Sequence, residues 1–216
     1  MDTTRAFFQA VQSGDVTQIN SLLAAQPDLL SASQRGASAV LTAVYHGQQE
    51  SLKALLAHQP TLTIFEAAAV GDTQRAKELL EQDVSLANAF APDGFTPLGL
   101  AAFFGQKAVV DLLLARGAEV NVASNNPMKV MPLHSSVAHQ HLEISRALLE
   151  HGARVNVAQA DEFTPLQEAA HNGQVEMIRL LLEYGADASA KNAEGKTALM
   201  MAQEAGKEEA AKMLRV

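Results

Sequence analysis

The stretch from Asp93 to Val122 reads DGFTPLGLAAFFGQKAVVDLLLARGAEVNV, and its punctuation decides the fold. Thr96 stands where a helix N-cap belongs, because its hydroxyl can accept from an otherwise orphaned backbone N–H. Pro97 follows at the first helical position, where a missing N–H costs little. Leu98, Ala101 and Ala102 make a narrow apolar stripe whose small members allow close approach. Gly105 ends this helix after about two turns, being free to adopt positive φ. A second helix is predicted from about Lys107 to Arg116. Val109, Val110, Leu112, Leu113 and Leu114 make it apolar on more than one side, which places it between neighbours. Gly117 closes it, and Val120-Asn121-Val122 reads as the extended lead into another unit.

The same score recurs along the chain. Thr96-Pro97-Leu98 is followed by Met131-Pro132-Leu133, Thr164-Pro165-Leu166 and Thr197-Ala198-Leu199; the starts at 131, 164 and 197 are 33 apart, and the gap from 96 to 131 is 35. A fixed period of this size means one supersecondary unit stacked on copies of itself, with neighbours sharing a core. Aligning the mid-unit turn gives Gly14, Gly47, Gly71, Gly105, Gln140, Gly173 and Gly206. Seven helical pairs therefore fill the chain.

These residues resemble the ankyrin repeat. The family's threonine-proline-leucine-histidine opening is matched by Thr96-Pro97-Leu98-Gly99, Met131-Pro132-Leu133-His134 and Thr164-Pro165-Leu166-Gln167. Its leucine-rich second helix with glycine-alanine-aspartate is matched by Leu180-Leu181-Leu182-Glu183-Tyr184-Gly185-Ala186-Asp187. The match is strong from about 92 to 206 and weaker before 60; Phe65-Glu66-Ala67-Ala68-Ala69 and Asp93-Gly94-Phe95 are similar to small ankyrin proteins common in bacteria. The resemblance implies an all-α solenoid of about seven helix-turn-helix units with β-hairpin fingers, forming a single domain over 1–216. An N-terminal capping unit spans 1–33, degenerate units 34–60 and 61–91, well-matched units 92–124, 125–158 and 159–191, and a C-terminal capping unit 192–216.

Departures from the period are informative. Gly47 to Gly71 is only 24 residues, so the finger between those units is predicted to be replaced by a tight turn around Gln59-Pro60. One extra residue is expected near Asp83 to Ala87, and two more at Asn125-Asn126-Pro127, where turn-forming residues make lengthening cheap. Gln140 occupies a glycine slot and is expected to force a left-handed geometry on a non-glycine residue or to reshape the turn. Lys207, Glu208, Glu209, Lys212 and Arg215 give the last helix the polar outer side of a terminal unit.

Composition narrows the function classes. The 216 residues contain no cysteine and no tryptophan, which removes disulfides and thiolate metal sites. No apolar run approaches the roughly 20 residues of a membrane helix, and Met1 to Gln12 lacks a signal-peptide pattern; residence in the cytoplasm, as a monomer, is expected. A net charge of −8 disfavours nucleic acid, whose binding rests on Lys and Arg neutralising phosphates.

No constellation for catalysis is legible. His139 and His171 occupy slots offset by one in adjacent units, expected about 10 Å apart, whereas zinc needs ligands within about 2.1 Å of one point. Ser135 and Ser136 flank His134 but cannot face it along a helix. Asp161 and Glu162 fall on a fingertip open to water. The chain is thus read as non-enzymatic, with no cofactor and no metal.

In the ankyrin architecture a concave groove is lined by fingertips and first-helix ends. Carried over by slot, the helix ends supply Tyr45, His46, Phe103, Phe104, His139, His171 and Asn172. The fingers supply Asp93, Phe95, Met128, Asp161 and Phe163. Phe95, Phe103, Phe104 and Phe163 are expected to form an aromatic strip at mid-groove, since exposed apolar patches mark docking surfaces and aromatics anchor them. The competing expectation is that Phe95 and Phe163 pack against neighbouring fingers and that one of the Phe103–Phe104 pair turns into the stack. The reading is an adaptor that holds another protein, or an extended peptide segment, in its groove; the alternative is an inhibitory subunit that blocks an enzyme with the same surface.

Overall fold

A computed structural model describes residues 3–159 and 163–215. Among these residues the chain forms fourteen α-helices in seven consecutive pairs. They are α1 (Thr3–Ser13) with α2 (Val16–Ala25), α3 (Ala39–Tyr45) with α4 (Gln49–Ala57), and α5 (Ile64–Val70) with α6 (Thr73–Gln82). Then come α7 (Pro97–Phe103) with α8 (Lys107–Ala115), α9 (Pro132–Ala138) with α10 (Leu142–Glu150), α11 (Pro165–Asn172) with α12 (Val175–Glu183), and α13 (Ala198–Glu204) with α14 (Glu208–Met213). The first helices of successive pairs pack in one continuous row from α1 to α13; behind them α2 packs on α4, and the second helices from α6 to α14 pack in a parallel row.

Local chemistry sets each boundary. Ser38, Thr63, Thr96, Thr164 and Thr197 each accept a hydrogen bond from the backbone N–H three residues on, satisfying one orphan donor of the helix they open. Thr63–Glu66 and Thr164–Gln167 complete capping boxes. Met131 fills the same position with no side-chain cap, so Pro132 alone preorganises that start.

In three units the residue after the mid-unit turn reaches back to the preceding unit. Gln48 Nε2 donates to Gln12 O at 2.9 Å, Gln106 Nε2 to Ala69 O at 3.1 Å, and His141 Nε2 to Phe103 O at 3.2 Å. Gln174 holds this slot too, yet both of its buried amide atoms lack a partner. Its unit follows Gln140, which has φ +60° where the other units have glycine. A Cβ at Gly71 would stand 2.2 Å from Gln106 Oε1; the real Cβ of Gln140 thus accounts for the displaced Gln174 amide. Gln140→Gly is expected to stabilise the chain by about 1 kcal/mol, from relief of the left-handed strain and recovery of one hydrogen bond, less the added chain entropy. A urea midpoint that is unchanged or lower would count against this explanation.

Fingers precede the first helices. Among the described residues only Ser33–Gln34 (β1) and Ala37–Ser38 (β2) form a regular antiparallel ladder, with Gln34 opposite Ala37. The expected β-hairpins are elsewhere tight turns closed by a backbone hydrogen bond, Ala91 N–H to Phe95 O, Ser124 to Val130 and Asn192 to Lys196; Gln159 N–H likewise donates to Phe163 O. The Ser124–Val130 turn is the long one, and it holds Asn125-Asn126-Pro127. Residues 84–88 wind into a 3-10 turn, Val84–Asn88, matched in the first unit by Pro27–Ser31. Residues 58–63 contain no strand, so α4 passes to α5 without a finger.

That omission brings non-adjacent fingers together. A Cβ at Gly36, the tip of the β1–β2 turn, would lie 3.0 Å from Pro92 Cβ, so the second and fourth units' fingers meet directly. The core divides near the same place. Buried side chains from Phe7 to Leu62 make one cluster, and those from Ile64 to Leu214 make a second, larger one.

Between the second helices and the fingers that follow them runs an asparagine ladder. Asn88, Asn121 and Asn156 each donate from Nδ2 to a glycine carbonyl of the next unit (Gly117, Gly152, Gly185) and accept from an N–H two residues beyond it. The signal was present in the sequence as Asn at 33- and 35-residue spacing, of which only Asn121 was read, as part of an extended lead.

Candidate functional site

The first-helix ends gather aromatic rings. Tyr45, the last residue of α3, meets Phe104 with centroids 5.6 Å apart; Phe104 meets Phe103 at 4.8 Å and 69°; Phe103 meets His139 at 4.0 Å, and His139 lies 6.1 Å from His141. This chain of rings crosses three fingered units and spans the unit that has none, because α5 ends in the small Ala69 and Val70. Edge-on and tilted contacts of this kind add to burial through the ring quadrupoles.

Hydrogen bonds fix the rings. The Tyr45 hydroxyl donates to Asp93 Oδ2, while Asp93 Oδ1 accepts from Phe95 N–H at 3.2 Å and Asp93 O accepts from Asn126 Nδ2 at 3.0 Å. Burial, then the Asp93 hydrogen bond and charge, push the Tyr45 phenol above its ordinary range, so it remains a donor. His139 Nδ1–H donates to Ser135 O at 3.1 Å, which leaves Nε2 as the free ring atom.

The expected strip is therefore redrawn. Phe103 and Phe104 belong to it, half-buried, with Phe104 packed against the large core cluster. Phe95 also packs against that cluster and has no ring partner among the described residues, since its finger turns it toward the stack. Phe163, half-buried, lies apart from the rings and lines a hollow nearer the C-terminus. Tyr45, left out of the expected strip, is the ring that closes the row, and its hydroxyl donates to Asp93 as well. Met128 is exposed at its fingertip. His46 and His171 are exposed, and Asn172 donates to Glu168 at 3.3 Å. Asp161 lies outside the described residues.

Hollows open between fingers and first helices at both ends of this face. One of about 630 Å³ is lined by Arg5, Gln9 and Gln12 of α1, Gln34 and Arg35 of the β1–β2 finger, and Tyr45 and His46. Another, of about 380 Å³, has Phe163, His171, Glu194, Lys196 and Glu204 on its walls. Lys196 Nζ bridges Glu194 at 2.9 Å and Glu204 at 2.7 Å; these partners, Glu204 first, raise the lysine above its usual range. Sequence reading missed Arg5, Gln34 and Arg35 because the chain-wide charge is negative and the two arginines are thirty residues apart.

His134 is architectural. It is 3% exposed and faces the backbone of Val157 and Phe163, at the base of the next finger, without meeting ordinary hydrogen-bond geometry. Gln167, in the matching slot, bonds the equivalent Ala190 O at 3.0 Å and Lys196 O at 3.2 Å. Burial, partly offset by those backbone groups, lowers the His134 pKa. The folded state thus binds this proton less readily than the unfolded chain. The neutral ring's contribution is full above roughly pH 6.5 and is lost as pH falls through that value toward the lower folded pKa. His134→Gln, borrowing the Gln167 solution, should lessen the drop in urea midpoint between roughly pH 7.5 and 5.5. Equal drops in both proteins would assign the acid sensitivity to other groups.

Comparison with known proteins supplies a family. A family model described as ankyrin repeats (3 copies) matches residues 64–159 and 155–215. The chain is 34% identical over 101 residues to ankyrin repeat and SAM domain-containing protein 6 of Rattus norvegicus, covering 47% of this chain and 11% of that protein. It is 32% identical over 111 residues to alpha-latrotoxin-Lh1a of Latrodectus hasselti, covering 50% of this chain and 8% of the toxin. An ankyrin repeat protein of Rickettsia felis is 37% identical over 75 residues, 35% of this chain and 32% of that protein. The chain thus spans from about a tenth to a third of these relatives, and what is shared is the repeat. Among the described residues no helix is long and apolar enough to cross a membrane.

Proposed function

Because this chain belongs to the ankyrin-repeat family, whose repeats are generally protein–protein interaction modules, we propose that it is a non-enzymatic adaptor. It holds a partner protein, or an extended segment of one, against the fingers and first-helix ends. The observation that carries the reading is the row Tyr45–Phe104–Phe103–His139, partly exposed and fixed by the Tyr45–Asp93 bond. Rings already held in place lose little freedom on binding, so contact energy is not spent on ordering them. A specific interface needs about 800 Å² per partner, an area that several adjacent units can supply.

The test begins with affinity capture from the native host and continues by titrating the identified partner. Phe103→Ala combined with Tyr45→Ala is expected to weaken binding at least tenfold, in keeping with aromatic anchors. Phe103 is preferred to Phe104 for this purpose because Phe104 also packs on the core. Wild-type affinity in the folded double variant would overturn the assignment of the docking face.

A further inference from the structure

The two ends of the finger side carry opposite chemistry. At the N-terminal end the hollow bounded by α1, α3 and the β1–β2 finger has Arg5 and Arg35 on its walls and, among the described residues, no carboxylate. Both arginines are exposed, and neither has an ion pair or hydrogen bond among the described residues. At the C-terminal end Glu194 and Glu204 line one hollow and Glu168 the adjoining one; Lys196, which pairs with Glu194 and Glu204, is the sole Lys or Arg among the described residues on either wall, so the three glutamates keep a net negative charge there. Between the two ends run the aromatic rings, free of formal charge except where Asp93 is bound by Tyr45.

We infer that this surface takes an extended segment of a partner protein in one direction only. An acidic side chain sits at Arg5 and Arg35, an apolar side chain lies on Tyr45, Phe104 and Phe103, and a basic side chain meets Glu168, Glu194 and Glu204. Reversing the segment sets like charges against each other at both ends, and such juxtaposition is how interfaces reject wrong registers. The guanidinium fork suits a carboxylate in two-point contact, and Gln9, Gln12 and Gln34 add neutral donors beside it. A phosphate polymer would meet the same arginines, but it would be repelled by the glutamates at the far end. From the second to the seventh unit there are five steps of about 9 Å each, which an extended strand covers in about 14 residues at about 3.3 Å per residue.

This inference rests on the docking face proposed above, and the experiment separates the two. Random 16-residue peptides displayed on phage are selected on the full chain, and enriched sequences are resynthesised. Their affinities are measured by fluorescence anisotropy for wild type, Arg5→Glu/Arg35→Glu and Phe103→Ala/Tyr45→Ala, with folding checked by circular dichroism. The expected peptides carry Asp or Glu on one side of an apolar centre and Lys or Arg on the other. The arginine double reversal weakens them at least tenfold, and replacing the peptide's acidic residue by Lys restores much of that loss in the reversed variant only. Peptides that need Phe103 and Tyr45 but ignore the arginine reversal overturn the polarity and leave the docking face standing. Peptides indifferent to both sets, or no enrichment at all, overturn both. A single-stranded RNA 12-mer binding more tightly than the peptides at 150 mM salt would replace the protein segment with nucleic acid.

Discussion

Leu113→Ala is expected to lower the unfolding free energy by about 2–5 kcal/mol, the range seen when a fully buried leucine is truncated and its site collapses only in part. Leu113 is 0% exposed, on α8, within the cluster that runs from Ile64 to Leu214. Neighbours on α6 and α10 hold that helix from both sides, so the cavity cannot close without moving two further units. In a stacked array each unit is stabilised mainly by its neighbours, and a void at the centre weakens two interfaces at once. Urea denaturation followed by circular dichroism measures the loss. A shift below 1 kcal/mol would mean that the stack closes around the gap.

The division of the core adds a second expectation to that experiment. The smaller cluster, Phe7 to Leu62, meets the larger one across the unit that has no finger. Leu55, 0% exposed on α4, belongs to the smaller cluster. Where the interface between neighbouring repeats is weaker than the repeats themselves, unfolding separates into steps. Leu55→Ala should therefore lower the transition of the N-terminal units, while Leu113→Ala lowers that of the rest. A single transition, shifted alike by both, would show the seam to be as strong as any other interface.

What could be read in the sequence was local chemistry. Thr96-Pro97 and Thr164-Pro165 cap helices through their own neighbours, and Gly105 or Gly173 turns the chain without help from elsewhere, so helix starts and mid-unit turns are legible at that range. The shortened Gly47–Gly71 spacing likewise told of a missing finger. Its consequence did not show, because it depends on units brought together only in the stack: Gly36 against Pro92, and Tyr45 against Asp93 and Phe104. Which way a finger phenylalanine turns is decided by the twist of the finger, and so the sequence left Phe95 between the exposed strip and packing against neighbouring fingers; it packs against the large core cluster. Gln174 is a further case. Its slot is identical to that of Gln106, and only the Cβ of Gln140, on the neighbouring unit, separates a bonded amide from an orphaned one.

Gly94→Ala should be the most damaging change on the finger side, costing about 1.5–3.5 kcal/mol from two sources. Gly94 has φ +88°, a conformation in which an L-residue is strained by roughly 1–2 kcal/mol. An added Cβ would also stand 2.5 Å from the backbone oxygen of Asn125, and backbone cannot rotate aside as a side chain can. The shift needed to relieve the contact would pull apart the Asn125 N–H to Gly94 O bond of 2.7 Å, for about another 0.5–1.5 kcal/mol. Asn126 Nδ2 holds Asp93 O in the same turn, so the fingertip that anchors Tyr45 would move with it. The variant should thus lose stability and also free the Tyr45 ring, which a rise in Tyr45 ring-flip rate by NMR would report. Gly117→Ala supplies the control: its φ of +83° carries the same backbone strain, but no atom lies within 4 Å of the added methyl. The difference between the two variants isolates the finger-to-finger contact. If they prove equally destabilised, that contact contributes nothing and the strain alone accounts for the loss.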